Sequence, residues 1–197
     1  MAGVAAANAT SQTVLTTGVA GLCAGAMSMA VGEFLSVSTQ RDTELATIAT
    51  ERRELATSPD DELHELTGIY EARGLDSTLA RQVAEQLSAH DNLAAHLRDE
   101  LGIDAGNQPR PWQAAWVSAV TFATFALVPI IALLAAPTRW RLEVIAAVTL
   151  VALATLGALG ARLGGARPGP AMLRVTLGGG LAMAVTTAVG HLIGAAI

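Results

Sequence analysis

Residues 21–68 read GLCAGAMSMAVGEFLSVSTQRDTELATIATERRELATSPDDELHELTG. The stretch starts as an apolar run, turns acidic, and meets a break at Thr57, Ser58 and Pro59. Either side of that break stand two E-x-x-E pairs, Glu51/Glu54 and Glu62/Glu65. Spacing of i, i+3 puts both carboxylates of a pair on one helix face about a turn apart. Ser58 reads as an N-cap and Pro59 as the first helical residue, with Asp60, Asp61 and Glu62 complementing the helix dipole. The chain therefore folds back here, and an antiparallel hairpin can bring all four glutamates together. Four close anions raise one another's pKa values, and a divalent cation removes that penalty while gaining oxygen ligands; a solvated acidic helix face is the alternative reading of the same spacing.

Composition says what surrounds this acidic hairpin. Hydrophobic residues make up 52% of the 197, charged residues only 15%, and mean hydropathy is +0.46. That is too apolar for an ordinary soluble domain of this size. Charge is segregated as well: of the 17 acidic residues, all but Glu33 and Glu143 fall between Asp42 and Asp104. The expected fold class is an all-α, polytopic membrane helical bundle with an acidic helical insert.

Four runs meet the requirement of roughly 20 apolar residues for a helix crossing hydrocarbon: Leu15 to Ser36, Trp112 to Ala136, Leu142 to Ala161 and Ala171 to Ile197. Pro109, Pro111, Pro137, Pro168 and Pro170 punctuate their ends, and Trp112, Trp116 and Trp140 sit at the expected interfaces. No cleavable signal peptide is expected, because no basic region precedes the first apolar run. Orientation is read from arginine, since the chain has no lysine. With the insert in the cytoplasm, Arg41, Arg110, Arg162, Arg167 and Arg174 flank the inner side, and Arg139 and Arg141 the outer.

Within the insert, one helix continues from the first span through Thr43 to Ala56, and a second runs from Pro59 to about Arg73, stopped by Gly74. A third begins near Asp76. Leu79, Val83 and Leu87 recur every four residues, and a further stripe of Leu93, Leu97 and Leu101 leads to Gly102. His96 and Glu100, spaced i, i+4, can add a nitrogen and a carboxylate to the quartet. A surface histidine beside a surface acid is an equally good reading of that pair alone.

Inside the apolar runs few residues carry chemistry. Glu33 is an ionisable group in a membrane segment, a functional candidate by default unless it reaches the interface from near the end of the run, and Met29 lies one turn before it. A thioether and a carboxylate in line suit transient binding of a transition metal, although helix packing alone accounts for Met29. Gly178, Gly179, Gly180 and Gly190 are expected to permit close helix packing, and His191 to make a packed interhelical hydrogen bond, with a proton-relay group as the alternative. Lone Cys23 supports neither a disulfide nor a cysteine cluster.

The run GLCAGAMSMAVGEFLSVSTQRDTE, the E-x-x-E pairs and AHLRDELG, taken in order, resemble the vacuolar iron transporter family of ferrous iron and manganese transporters. The resemblance covers nearly the whole chain. It implies a homodimer of five-helix protomers in a lipid bilayer, a cytoplasmic three-helix metal-binding domain, and exchange of protons for Fe²⁺ or Mn²⁺. It further implies that Glu51, Glu54, Glu62, Glu65 and Glu100 are metal ligands, with His96 where plant relatives carry a methionine. Met29 matches the pore methionine and Glu33 the adjacent acidic position. The family's first helix carries a pore aspartate in a G-x-x-D-G-like motif, and Met1 to Ala7 reads as the tail of that helix.

On this reading residues 1–39 hold that remnant and the first full span, 40–108 the cytoplasmic metal-binding domain, and 109–197 three further spans. The expected function is proton-coupled export of Fe²⁺, and of Mn²⁺, from the cytoplasm. A membrane-anchored metal sensor or scaffold without transport is the alternative. No enzyme activity is expected: H-E-x-x-H and G-x-S-x-G are absent, and no glutamate begins the E-x-x-H pair of a di-iron centre. No nucleic-acid partner is expected. The alanine- and arginine-rich, lysine-free composition points to a bacterial-type plasma membrane.

Overall fold

The computed structural model describes residues 2–6, 10–104 and 106–196, and among them every regular element is helical. Seven α-helices follow in order: α1 (Ala2–Ala6), α2 (Ser11–Thr57), α3 (Pro59–Ala72), α4 (Ser77–Asp99), α5 (Pro111–Ala135), α6 (Arg141–Leu163) and α7 (Pro168–Ala196). A 3₁₀ turn, Thr138–Trp140, precedes α6. Of the segment Met1 to Ala7, Ala2–Ala6 forms α1, whereas Met1 and Ala7 lie outside the described residues.

Among the described residues, four helices are long and apolar enough to cross a membrane: α2, α5, α6 and α7. They contain the four runs read from hydropathy, apart from Ala136, which follows α5, and Ile197, outside the described residues. The chain is an all-α integral membrane protein. In α2 only the first half is apolar, and charged residues recur from Arg41 onward. The helix continues regardless, because nothing between Ser11 and Thr57 breaks it. Thr39, Thr43 and Thr47 hydroxyls donate to the carbonyls four residues back (2.9, 2.9 and 3.0 Å), so they stay satisfied in any surroundings. Helix α5 likewise runs unbroken through Pro129.

Compact packing divides the chain into two units. The described residues up to Val31 form one with those from Ala115 onward, and Gly32–Ala114 forms the other. In the first, Val14, Leu133 and Ile145 are buried together, with Val4, Ala5 and Leu15 against them. Its close approaches fall at glycine. A side chain at Gly190 would collide with the backbone of Gly3, and one at Gly179 with Leu153, whereas Gly178 faces open space. His191 is exposed on α7. That corrects the expectation of a packed interhelical hydrogen bond: the neighbouring Gly190, not the imidazole, makes the close approach.

The second unit is built by α3 and α4 with the end of α2. Helix α2 stops because Pro59 disfavours helical geometry at Ser58, which sits at φ −138°, ψ 52°. Ser58 occupies the N-cap position and Pro59 follows it at the helix start, as read, although the Ser58 side chain makes no capping hydrogen bond. Its carbonyl instead accepts from Asp61 and Glu62 N–H groups, both at 3.1 Å. Helix α3 ends in a Schellman arrangement: Gly74, at φ +101°, donates to the Glu71 carbonyl, and Leu75 donates to that of Tyr70. Asp76 then caps α4 by accepting from Thr78 and Leu79 N–H groups.

The core between α3 and α4 comprises Leu66, Tyr70, Ala80, Ala84 and Ala95, with Val83 and Leu87 packed against it. Leu79, expected in the buried stripe, is 44% exposed. The small alanines one position along let the helices approach closely, which turns Leu79 outward. Asp91 interrupts α4 at φ −157°, ψ 93°, and its carboxylate accepts from the Ala94 N–H at 3.0 Å, starting a second helical segment. Leu93, Leu97 and Leu101 belong to this re-phased stretch, in which Leu97 is buried and the other two are half-buried.

Candidate metal centre

Three segments of the second unit deliver the site: the last turns of α2, the first turn of α3, and α4 beyond its kink. From them Glu51, Glu62, His96 and Glu100 converge, each offering one ligand atom, all within 4.8 Å of one another. His96 is fully buried, and its Nδ1 lies 2.9 Å from Glu100 Oε2, 3.1 Å from Glu51 Oε1 and 3.7 Å from Glu62 Oε2. A metal–ligand distance of about 2.1 Å puts opposite ligands of an octahedron about 4.2 Å apart, so a small inward movement closes the group on one ion.

Electrostatics favour a cation there. Glu51 is only 3% exposed, and burial pushes its carboxyl up to about 6, with the negative charge of Glu100 adding to the effect. Glu62 is raised too, chiefly by burial; the opposing attraction of His96 is met by repulsion from Glu65, Glu100 and Glu54. One ring nitrogen cannot satisfy three carboxylates, and the hydrogen bond His96 Nδ1 makes is with Glu100 Oε2. Glu51 Oε1 and His96 Nε2 are buried without a hydrogen bond among the described residues. A buried anionic oxygen left in that state is costly, and a divalent ion supplies the missing partner. Three carboxylate oxygens and one imidazole nitrogen suit a first-row divalent metal.

Glu54 and Glu65 stand apart from this group. Both are exposed, and neither contributes to the convergent atoms, although their charges reach Glu51 and Glu62. The hairpin thus turns one glutamate of each pair inward and leaves the other at the rim. Met29 and Glu33 lie four residues apart on the exposed surface of α2. Glu33 precedes Glu51 by eighteen residues on that helix, roughly 27 Å of axial rise.

A supporting residue escaped the sequence reading. Asp99 accepts from the Tyr70 hydroxyl (2.7 Å), Arg73 (2.8 Å) and Arg98 (2.6 Å), while Arg73 also donates to the Asp99 carbonyl at 2.8 Å. These bonds, that of Arg98 foremost, hold its carboxyl well below the usual carboxylate range. They tie the C-terminal end of α3 to the α4 turn that carries His96 and Glu100. A findable signal existed: Tyr70 and Arg73, spaced i, i+3, form a donor pair that needs an acceptor when the tyrosine is buried.

Comparison with known proteins places this arrangement among relatives. The model described as VIT family matches residues 1–191. A "Vacuolar iron transporter" of Acanthamoeba castellanii is 47% identical over 190 residues, covering 96% of this chain and 72% of that protein. "VIT-like transporter 1b" of Glycine max is 32% identical over 99% of this chain and 69% of its own length. "Vacuolar iron transporter homolog 5" of Oryza sativa subsp. japonica is 34% identical over 94% and 68% respectively.

Proposed function

Since the chain belongs to the VIT family, a family of transporters and not of enzymes, we propose that it carries Fe²⁺ across a lipid bilayer, with Mn²⁺ as a second substrate. The observation that carries this reading is the convergence of Glu51, Glu62 and Glu100 on His96 Nδ1 in a buried site. The acidic insert, residues 40–108, faces the cytoplasm as a metal-binding domain, a side supported by the arginines flanking its two ends, Arg41 and Arg110. It captures the ion through the convergent group, with Glu54 and Glu65 concentrating cations at the rim. Met29 and Glu33 receive the ion for passage out of the cytoplasm.

Protons drive release in this scheme. A carboxyl already raised to about 6 is readily protonated, and each proton taken up removes a ligand charge. Inward proton flow is thereby coupled to outward metal flow, and the working unit is a homodimer. The test is Fe²⁺ flux into liposomes containing the 197-residue chain, read by an internal metal-quenched dye under an imposed pH gradient. Gradient-dependent flux, lost in Met29→Ala and Glu33→Gln, is expected. Fe²⁺ binding without any flux would leave a non-transporting metal binder and overturn the proposal.

A further inference from the structure

We propose that a basic cavity beside the start of α5 clamps the phosphate headgroup of an anionic phospholipid. The cavity has a volume of about 560 Å³ and is lined by Arg41 of α2 together with Gln108, Arg110, Trp112 and Gln113. It lies wholly within the second unit. Although that unit holds most of the acidic residues of a chain with net charge −5, no carboxylate among the described residues lines the cavity. Its two guanidiniums come from segments far apart in sequence. Both are exposed, and neither forms an ion pair among the described residues, unlike Arg73, Arg81 and Arg98. Two fixed positive charges facing one space, with amide donors beside them, form a receptor for a phosphate diester and repel a metal ion.

Position selects a lipid over a soluble anion. Arg41 stands five residues past Ser36, where the apolar run of α2 ends, and Arg110 immediately precedes the apolar helix α5. Both arginines therefore fall where a spanning helix leaves the hydrocarbon, at headgroup level. Trp112 is 79% exposed, and its ring packs against Phe34, with centroids 4.7 Å apart. An indole held at that level is the side chain expected against the glycerol region of a lipid.

The test uses the full chain carrying Trp116→Phe and Trp140→Phe, so that Trp112 is the sole indole reporter. The protein is placed in phosphatidylcholine vesicles containing rising fractions of bromine-labelled phosphatidylglycerol, or of bromine-labelled phosphatidylcholine as reference. Quenching by the anionic lipid should saturate at a fraction lower by about fivefold per arginine, hence about 25-fold for the pair. Arg41→Gln and Arg110→Gln, on different segments, should each remove about fivefold of the preference. Arg139→Gln, remote in sequence, should leave it intact. Equal quenching by the two lipids would overturn the proposal. So would full displacement of the labelled lipid by millimolar inorganic phosphate, which would mark a site for the free anion instead.

Discussion

His96 Nδ1 lies 3.1 Å from Glu51 Oε1, joining the end of α2 to the re-phased second half of α4 across 45 positions of sequence. That single approach brings together a carboxylate whose pKa burial raises and a fully buried imidazole. Glu62 and Glu100 complete the group from two further turns of helix.

Removing a carboxylate from this group should weaken metal binding more than removing one from the rim. Glu51→Gln is expected to lower the Fe²⁺ affinity of the detergent-solubilised chain by about 10- to 100-fold. Glu54→Gln and Glu65→Gln, at exposed positions, should each produce a smaller loss. Anaerobic titration would settle the ranking, and equal losses at all three would remove the inward–outward distinction.

The imidazole should set selectivity. Nitrogen ligands favour Fe²⁺ over Mn²⁺ along the divalent series, whereas carboxylates discriminate less. His96→Gln is therefore expected to depress Fe²⁺ affinity more than Mn²⁺ affinity. Competition between the two ions on the same protein gives the ratio directly, and an unchanged ratio would deny His96 a ligand role.

Stability of the metal-free protein should depend on pH through Glu51. Its carboxyl is raised in the folded state from 4.5 to about 6, so the native protein binds the proton more tightly than the unfolded chain does. The stabilising effect of that proton is fully present below 4.5 and is lost as pH rises through about 6, amounting to about 2 kcal/mol. Thermal unfolding at pH 4 to 7 should show this slope in the apo protein. Glu51→Gln should flatten it, and Fe²⁺ should restore stability at the upper end while binding less tightly at the lower.

Asp99 should matter without touching the ion. Asp99→Asn leaves Arg73 and the Tyr70 hydroxyl with a weaker acceptor, at a cost of about 1–3 kcal/mol. A lowered Tm together with reduced Fe²⁺ affinity is the expected pair of changes. Tyr70→Phe removes one neutral donor and should do less to both. Loss of affinity with Tm unchanged would point to a direct role for Asp99 instead.

Much of this fold was legible because it is governed by local chemistry. Four apolar runs, the break at Pro59, the stop at Gly74 and the helix start near Asp76 each depend on a few neighbouring residues. Leu79 misled because a four-residue repeat of large side chains looks like a core stripe. Alanines at 80 and 84 allow a closer helix approach than leucine does, and the helix turned to use them. Asp91 gave no reliable sign of a kink, since an aspartate inside a helical run usually sits on the solvated face.

The sequence by itself determined that the chain spans a membrane, that an acidic hairpin interrupts its apolar runs, and that His96 and Glu100 share a helix face. Those properties follow from hydropathy, breaking residues and spacings of three or four. Only tertiary structure decided which glutamates face inward. Residues three apart on a helix differ by about 60° around its axis, so one member of each pair can face a neighbour while the other faces water. That choice rests on the rotational phase of three packed segments, set by Leu66, Ala80 and Ala84 in the core, the bend at Asp91 and the Asp99 clamp.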